Sequence, residues 1–138
     1  MIQSEHSFTL DEANRILPEI ESFLRNYTDQ KDALERQHDA YLMEELLVSA
    51  NTKSPGYDPG RRLEREALAI DETVFRIFED FQKIQALGVV VRNLRQGWVD
   101  FPGIHEGRRV YFCWHRGEEN IRHYHPVESS PSERLSLR

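Results

Sequence analysis

Histidine is concentrated near the C-terminal end of this chain. Four of the six histidines in 138 residues follow position 100, namely His105, His115, His123 and His125. His123 and His125 are two positions apart, which places both imidazoles on one face of a β-strand. Zinc, nickel and iron prefer three or four nitrogen, oxygen or sulfur ligands, and Asp100 or Glu118 would extend such a set. The spacing predicts a divalent transition metal site, against the alternative that His125 hydrogen-bonds the sheet end and the other histidines are solvated.

A second metal-ligand spacing lies earlier in the chain. Glu35 and His38 form the Glu-x-x-His pattern of di-iron helical bundles. Such bundles need two of these motifs and two further carboxylates, so one chain would require a second copy that offers residues such as Glu66 or Glu72. The simpler interpretation is a half-buried His38 on an apolar helical stripe, paired with a neighbouring carboxylate.

Arginine and aromatic residues provide a third possible chemistry. Asp100 is predicted to end a strand where it pairs with Arg108 or Arg109. A pocket for a phosphorylated small molecule would draw on four arginines: Arg108, Arg109, Arg116 and Arg122. The candidate ligand-binding residues are Asp100, Arg108, Tyr111, Trp114 and Glu118. The chain lacks the P-loop, G-x-S-x-G, H-E-x-x-H and G-x-G-x-x-G motifs, so no catalytic residue is predicted and a non-enzymatic protein is favoured.

Composition narrows the class of protein. The chain has 18 Lys and Arg against 24 Asp and Glu, a net charge of −6, which argues against a nucleic-acid partner. No stretch approaches the ~20 apolar residues of a membrane span, and the first residues lack a signal-peptide pattern, so a cytoplasmic location is expected. The single cysteine, Cys113, excludes an internal disulfide and lies between Phe112 and Trp114, where an inert thiol is expected.

The elements that must position these residues begin with two helices. Apolar residues recur at three- and four-residue steps and predict helix one over residues 9–48, opened by a capping box between Thr9 and Glu12. Pro18 interrupts that pattern and predicts a kink or break. Residues 49–60 contain two prolines and two glycines and predict a loop. A second apolar stripe predicts helix two over residues 61–87.

Two long amphipathic helices joined by a short loop predict an antiparallel helical hairpin. Leu47, Phe75 and Phe78 flank the apolar stripes, and one copy of the hairpin is too small to bury their side chains. The pattern therefore predicts a homo-oligomer that assembles through helix faces.

After Gly88 the side-chain period changes from 3.6 to 2, which predicts a small antiparallel three-stranded β-meander over residues 89–125. A tight turn at Gly117 and Glu118 would join its last two strands. That turn places one set of residues on the face that covers the helices: Val110, Phe112, Trp114, Ile121, His123 and His125. It places Cys113 and His115 on the opposite face. Residues 126–138 are rich in Ser and Pro and predict a flexible tail. The expected fold is one α+β domain over residues 1–138.

Four blocks of sequence resemble the DUF2203 family of bacterial proteins. They are residues 8–18 (FTLDEANRILP), 88–102 (GVVVRNLRQGWVDFP) and 107–114 (GRRVYFCW), and residues 117–121 (GEENI) followed by His125. The blocks lie near both ends of the chain. The resemblance implies no reaction; its motif maps onto Asp100, Phe101, Pro102, Gly107, Arg108, Tyr111, Trp114, Gly117, Glu118 and His125. The tail departs from the usual glycine-rich ending, with Arg134 as the counterpart there.

These observations favour a non-enzymatic binding or scaffold module that self-associates through its helical hairpin. Two alternatives stay open: a metal-binding protein or metal-dependent enzyme that uses the C-terminal histidines, and an arginine-lined pocket for a phosphorylated small molecule. The architecture depends on Trp114 facing the helices, because only a packed apolar face stabilises so small a sheet.

Overall fold

Helices occupy the first part of the chain and strands the remainder. The computed structural model describes residues 7–50, 59–128 and 133–137. The helices are α1 (Leu10–Arg15), α2 (Leu17–Ser49) and α3 (Pro59–Ala86). The strands are β1 (Val90–Asn93), β2 (Trp98–His105), β3 (Arg108–His115), β4 (His123–Pro126) and β5 (Leu135–Ser136). The α+β class, with helices followed by an antiparallel sheet, is confirmed.

The predicted break near Pro18 separates α1 from α2. The Thr9 hydroxyl accepts a hydrogen bond from the Glu12 N–H at 3.0 Å, and the Thr9 N–H donates to the Glu12 carboxylate at 2.9 Å, which completes the predicted capping box. Ile16 leaves the helical conformation, and α2 restarts at Leu17. Pro18 is the second residue of α2, a position where the N–H that proline lacks has no intrahelical acceptor.

Two compact units divide the chain. Unit 1 comprises Met1–Arg25 and Phe81–Arg138, and unit 2 comprises Asn26–Asp80, whose described residues belong almost entirely to α2 and α3. Within unit 2, the Gln30 side-chain amide donates to Asp80 at 3.3 Å and Arg62 pairs with Glu44 at 3.4 Å. Most of the predicted loop, residues 51–58, lies outside the described residues. Across the parts of the chain that the structure describes, no helix has the length and apolar character needed to cross a bilayer.

The sheet has five strands where the sequence predicts three. Their order is β1-β2-β3-β4-β5, and every neighbouring pair is antiparallel. The two edge strands are short: β1 has four residues and an irregular register, and β5 has two residues. Such short edges give little periodic signal. β5 lies in the segment 126–138 for which a flexible tail is predicted, and it pairs with β4.

The hydrophobic core of unit 1 lies between one face of the sheet and the nearby helix turns. Trp114, Val99 and Phe101 are fully buried there with Ile20 and Leu24 of α2. The prediction that Trp114 faces the helices is confirmed. Gly103 allows the chain before α1 to approach the sheet, because a Cβ there would lie 2.4 Å from the Phe112 ring and 2.5 Å from the Phe8 carbonyl oxygen.

The register between β3 and β4 differs by one residue from the prediction. Tyr111 pairs with His125 and Cys113 pairs with His123, so Cys113 and both histidines share a face. The predicted tight turn at Gly117 is wrong, because residues 116–122 connect the two strands. Within this connection, the Ile121 N–H donates to the Asn14 side chain at 2.9 Å instead of pairing with β3. A one-residue shift exchanges the two faces of a strand, which moves His123 and His125 away from the core.

Candidate functional site

Polar side chains gather on the face of the sheet opposite the hydrophobic core, which we call the polar face. Asp100 on β2 is the Cα partner of Cys113 on β3, and Cys113 is in turn the partner of His123 on β4. Tyr111 and His125 form the adjacent pair. Cross-strand partners project to the same side of a sheet, so three neighbouring strands place these groups together.

Asp100 is the centre of a buried cluster that we call the Asp100 cluster, formed by Arg92, Asp100, Cys113 and His125. One carboxylate oxygen, Oδ2, lies 2.8 Å from the Arg92 Nε atom and 3.0 Å from the His125 Nε2 atom. The side chains of Asp100 and His125 are 3% and 1% exposed, whereas that of Arg92 is 36% exposed. A carboxylate this deeply buried requires such partners, because an unpaired charge loses its hydration without compensation.

Both ring nitrogens of His125 face oxygen acceptors. The Nδ1 atom lies 3.0 Å from the Pro126 carbonyl oxygen, and the Nε2 atom lies 3.0 Å from the Asp100 carboxylate. Both oxygens offer only lone pairs, so a ring nitrogen donates to its oxygen only when it carries a proton. A neutral ring donates to one of the two oxygens, and a ring protonated on both nitrogens donates to both.

Burial raises the pKa of the Cys113 thiol to about 12, and the nearby Asp100 carboxylate adds to this rise. The thiol therefore keeps its proton at neutral pH and is a poor nucleophile, as the sequence predicts. Burial disfavours the charged form of Arg92, but its hydrogen bond and attraction to Asp100 outweigh that effect and raise the pKa of the guanidinium. Arg92 also lies over the Tyr111 ring, 4.8 Å from its centroid.

A second cluster, formed by Trp98, Glu118, His123 and Arg134, lies beside the first; we call it the Glu118 cluster. One Arg134 nitrogen donates to both Glu118 carboxylate oxygens at 3.2 Å, and the guanidinium lies over the Trp98 ring. Glu118 also accepts the His115 backbone N–H at 2.8 Å. In the described residues, the buried Nδ1 atom of His123 and Nε atom of Arg134 have no hydrogen-bond partner.

Comparison with known proteins decides the family of the chain. The family model described as "Uncharacterized conserved protein (DUF2203)" matches residues 6–137, nearly the whole length. The chain belongs to the DUF2203 family. Among curated proteins and solved structures, no match was found. The family description implies no reaction, so function must be argued from this DUF2203 protein's own geometry.

The polar face of the DUF2203 protein contains several of the residues proposed from the sequence, but not all of them. Asp100, Tyr111, His123 and His125 lie on it, and Glu118 extends the same region. Trp114 is buried in the core instead, where its indole N–H donates to the Glu118 carbonyl at 2.9 Å. Its position makes Trp114 a packing residue.

Arg108 lies apart from the buried carboxylate. It is exposed at the turn between β2 and β3, where its Cα partner is His105. The predicted pairing of Asp100 with Arg108 or Arg109 is replaced by the pairing with Arg92. Arg92 was not predicted because β1 is short. Val90 is the Cα partner of Asp100, and Arg92 follows Val90 by two residues. A strand assigned to residues 90–93 would therefore have placed Arg92 on the same face as Asp100.

The proposed helical pair of metal ligands lies in unit 2 and is exposed to solvent. The Glu35 carboxylate pairs with Lys31 at 3.1 Å, one helical turn away. His38 is exposed, which corrects its predicted half-buried position on an apolar stripe. The apolar steps around His38 are less regular than elsewhere in the helix, so this position had the weakest support from periodicity.

Among the residues that the structure describes, one group contains three side chains of metal-ligand type close together. It consists of Asp100, Cys113 and His125, whose ligand atoms all lie within 4.8 Å of one another. The sequence-based register had separated Cys113 from His125, so this combination was missed. The arrangement places a buried sulfur, nitrogen and oxygen donor close together, with the Arg92 guanidinium beside the carboxylate.

Proposed function

We propose that the protein is a non-enzymatic binding module that self-associates through the helices of unit 2. One observation carries this proposal. Eight large apolar side chains of the unit are between 44% and 64% exposed: Leu42, Met43, Leu46 and Leu47 on α2, and Leu68, Val74, Phe75 and Phe78 on α3. Exposed apolar surface of this extent on helices is typical of an interaction surface.

The spacing of these residues supports two apolar faces. Positions 42, 43, 46 and 47 lie within about 140° of one another around α2, at ~100° per residue. Positions 68, 74, 75 and 78 lie within about 120° of one another around α3, at ~100° per residue. The two sets therefore form stripes along the helices, as a helix-packing surface requires.

A second copy of the chain is the partner that fits this surface. At roughly half exposure, eight such side chains present on the order of 600 to 800 Å² of apolar area, close to the ~800 Å² that each partner contributes to a standard interface. A second copy provides an equal surface made of the same side chains. Self-association through a two-fold axis would bury both copies of each stripe together.

We expect Phe78→Glu to convert the assembled protein into a monomer, because a carboxylate in an apolar interface loses its hydration without gaining a partner. Analytical ultracentrifugation over a range of protein concentrations measures the change in mass. Gln85→Glu is the matched control, since it adds the same charge at an exposed position of α3 outside the apolar set. A wild-type chain that sediments as a monomer at high micromolar concentration would exclude the proposal.

A second candidate function is the binding of a small phosphorylated molecule, supported by a groove in unit 1. Its volume is about 550 Å³, within the range of small-molecule sites. Phe8, Phe112 and Ile121 provide apolar walls, while Arg122 and His105 provide positive or hydrogen-bonding groups. Of the four arginines that the sequence suggests for such a pocket, Arg122 lines this groove.

Phenyl phosphate is a suitable probe of this groove, because it combines an aromatic ring with an anionic group. We expect it to raise the melting temperature of the wild-type chain by a few degrees and to have no such effect on Arg122→Ala, which lacks the cation beside the groove. Arg108→Ala is the control and should respond like the wild type. Equal responses from both variants would show that the groove does not bind the phosphate.

A further inference from the structure

Three kinds of ligand atom meet inside the Asp100 cluster. The Asp100 carboxylate, the Cys113 thiol and the His125 imidazole come from β2, β3 and β4, and each residue is at most 2% exposed. Their ligand atoms lie within 4.8 Å of one another. Because the donors lie on adjacent paired strands, the backbone holds them in place without a ligand.

The hydrogen bond from His125 to its own strand prepares the ring for a metal. Metal-binding histidines almost always donate the ring N–H that is not bound to the metal, frequently to a backbone carbonyl. In this structure the Pro126 carbonyl oxygen lies 3.0 Å from Nδ1, so Nε2 is directed toward Asp100 as the ligand atom. Arg92 donates to the Asp100 carboxylate, as groups around a ligating carboxylate commonly do.

The Cys113 thiol is the donor that must lose a proton before it can bind a metal ion. The raised pKa of Cys113 opposes loss of the thiol proton, but a coordinated metal deprotonates a thiol directly.

We propose that Asp100, Cys113 and His125 form a binding site for a divalent transition metal ion of the zinc type. A thiolate and an imidazole select borderline-soft cations, and zinc also accepts a carboxylate oxygen. Calcium and magnesium prefer oxygen ligands alone, so they do not fit this set. Three protein ligands leave the fourth tetrahedral position open.

His123 lies beside the site but is not one of its ligands. It is the Cα partner of Cys113, and its Nδ1 atom lies 3.8 Å from a Glu118 carboxylate oxygen in the Glu118 cluster. The proposal is independent of self-association, since all of these residues belong to unit 1 and the site can be assayed in the Phe78→Glu variant.

Cobalt(II) is the probe for this site, because a cobalt–thiolate bond produces a charge-transfer band in the near ultraviolet. The full-length chain, purified without an affinity tag and treated with a chelator, is titrated with cobalt and then with zinc. We expect one equivalent of cobalt to produce the band and one equivalent of zinc to remove it. Cys113→Ser should abolish the band and weaken cobalt binding more than about 100-fold.

His125→Gln tests a second ligand, and His115→Gln is the matched control. His115 lies two residues from Cys113 on the same strand, stacks against Trp98 and is not part of the three-ligand group. We expect His125→Gln to weaken cobalt binding strongly and His115→Gln to leave it within about twofold of the wild type, by comparison with the losses known for ligands. Circular dichroism of each metal-free variant verifies its folding.

Three outcomes overturn the proposal. They are a wild-type chain that shows no charge-transfer band with cobalt, a band that persists in Cys113→Ser, and equal losses in the two histidine variants. Metal-dependent stabilisation gives a readout that does not require a variant: zinc should raise the melting temperature of the wild type, whereas magnesium should not. Equal effects of both ions would also contradict a site that contains sulfur.

Discussion

Replacing Asp100 with asparagine is expected to lower the free energy of unfolding by about 1 to 3 kcal/mol, the usual loss when a buried polar group loses a charged partner. The Asp100 carboxylate accepts from Arg92 and lies 3.0 Å from the His125 Nε2 atom, and its side chain is only 3% exposed. Asparagine has nearly the same shape but no charge. The variant therefore leaves the Arg92 guanidinium and the buried His125 ring facing a neutral amide. Urea denaturation followed by circular dichroism measures the change.

Glu35→Gln is the control for Asp100→Asn, because it neutralises a carboxylate in an exposed ion pair with Lys31. Exposed pairs at this helical spacing contribute only about 0.3 to 0.5 kcal/mol. A loss for Asp100→Asn as small as the control's would show that the Asp100 charge does not hold the polar face together. Such a result would also weaken the argument for a preorganised metal site.

Replacing Trp114 with alanine is expected to lower the free energy of unfolding by about 3 to 5 kcal/mol, as measured for large aromatic residues in other protein cores. Trp114 is fully buried in the core of unit 1. The substitution removes the largest buried side chain between sheet and helices and leaves the Glu118 carbonyl without the indole donor. Urea denaturation under the conditions used for Asp100 gives the comparison.

The second tryptophan of the chain is the matched control for Trp114→Ala. Trp98 lies on the polar face, is only partly buried, and contacts His115 and Arg134 through its ring. Its replacement by alanine removes one cation–π contact and partial burial, an effect of about 1 to 2 kcal/mol. Equal losses for the two tryptophans would contradict a core centred on one face of the sheet.

The two variants test the two faces of the sheet independently. Trp114→Ala affects the apolar contact with the helices, whereas Asp100→Asn affects the polar cluster on the opposite side. Because adjacent residues of a strand alternate between these faces, Cys113 and Trp114 belong to different environments although they are neighbours in sequence. This alternation allows a 138-residue chain to combine a core and a candidate site on the same strand.

Periodicity predicted the elements with the longest patterns. The helical stripes around Pro18 and before Gly88 correspond to α1, α2 and α3, with ends that differ by one or two residues where they are described. The apolar residues of β3, among them Trp114, were also assigned correctly to the sheet face that packs on the helices. Such patterns are local, since three or four apolar residues per two turns of helix already indicate the buried face.

Long-range pairing was less accessible from sequence. β1 and β5 are too short to show alternation, and Arg92 and Arg134 were consequently not placed beside their carboxylate partners. The seven-residue connection after β3 was predicted as a two-residue turn. That error changed the register by one residue and exchanged the faces of His123 and His125.

The sequence alone determined the family, the α+β order of the elements, the break near Pro18 and the burial of Trp114. Only the tertiary structure decided which chemistry-bearing side chains meet. Asp100, Cys113 and His125 come from three strands, and their proximity depends on the register between them. In the connection between β3 and β4, the Ile121 N–H donates to the Asn14 side chain. A contact between residues more than 100 positions apart in the sequence produces no periodic pattern from which it could be predicted. For that reason the helices could be assigned from the sequence, whereas the Asp100 cluster required coordinates.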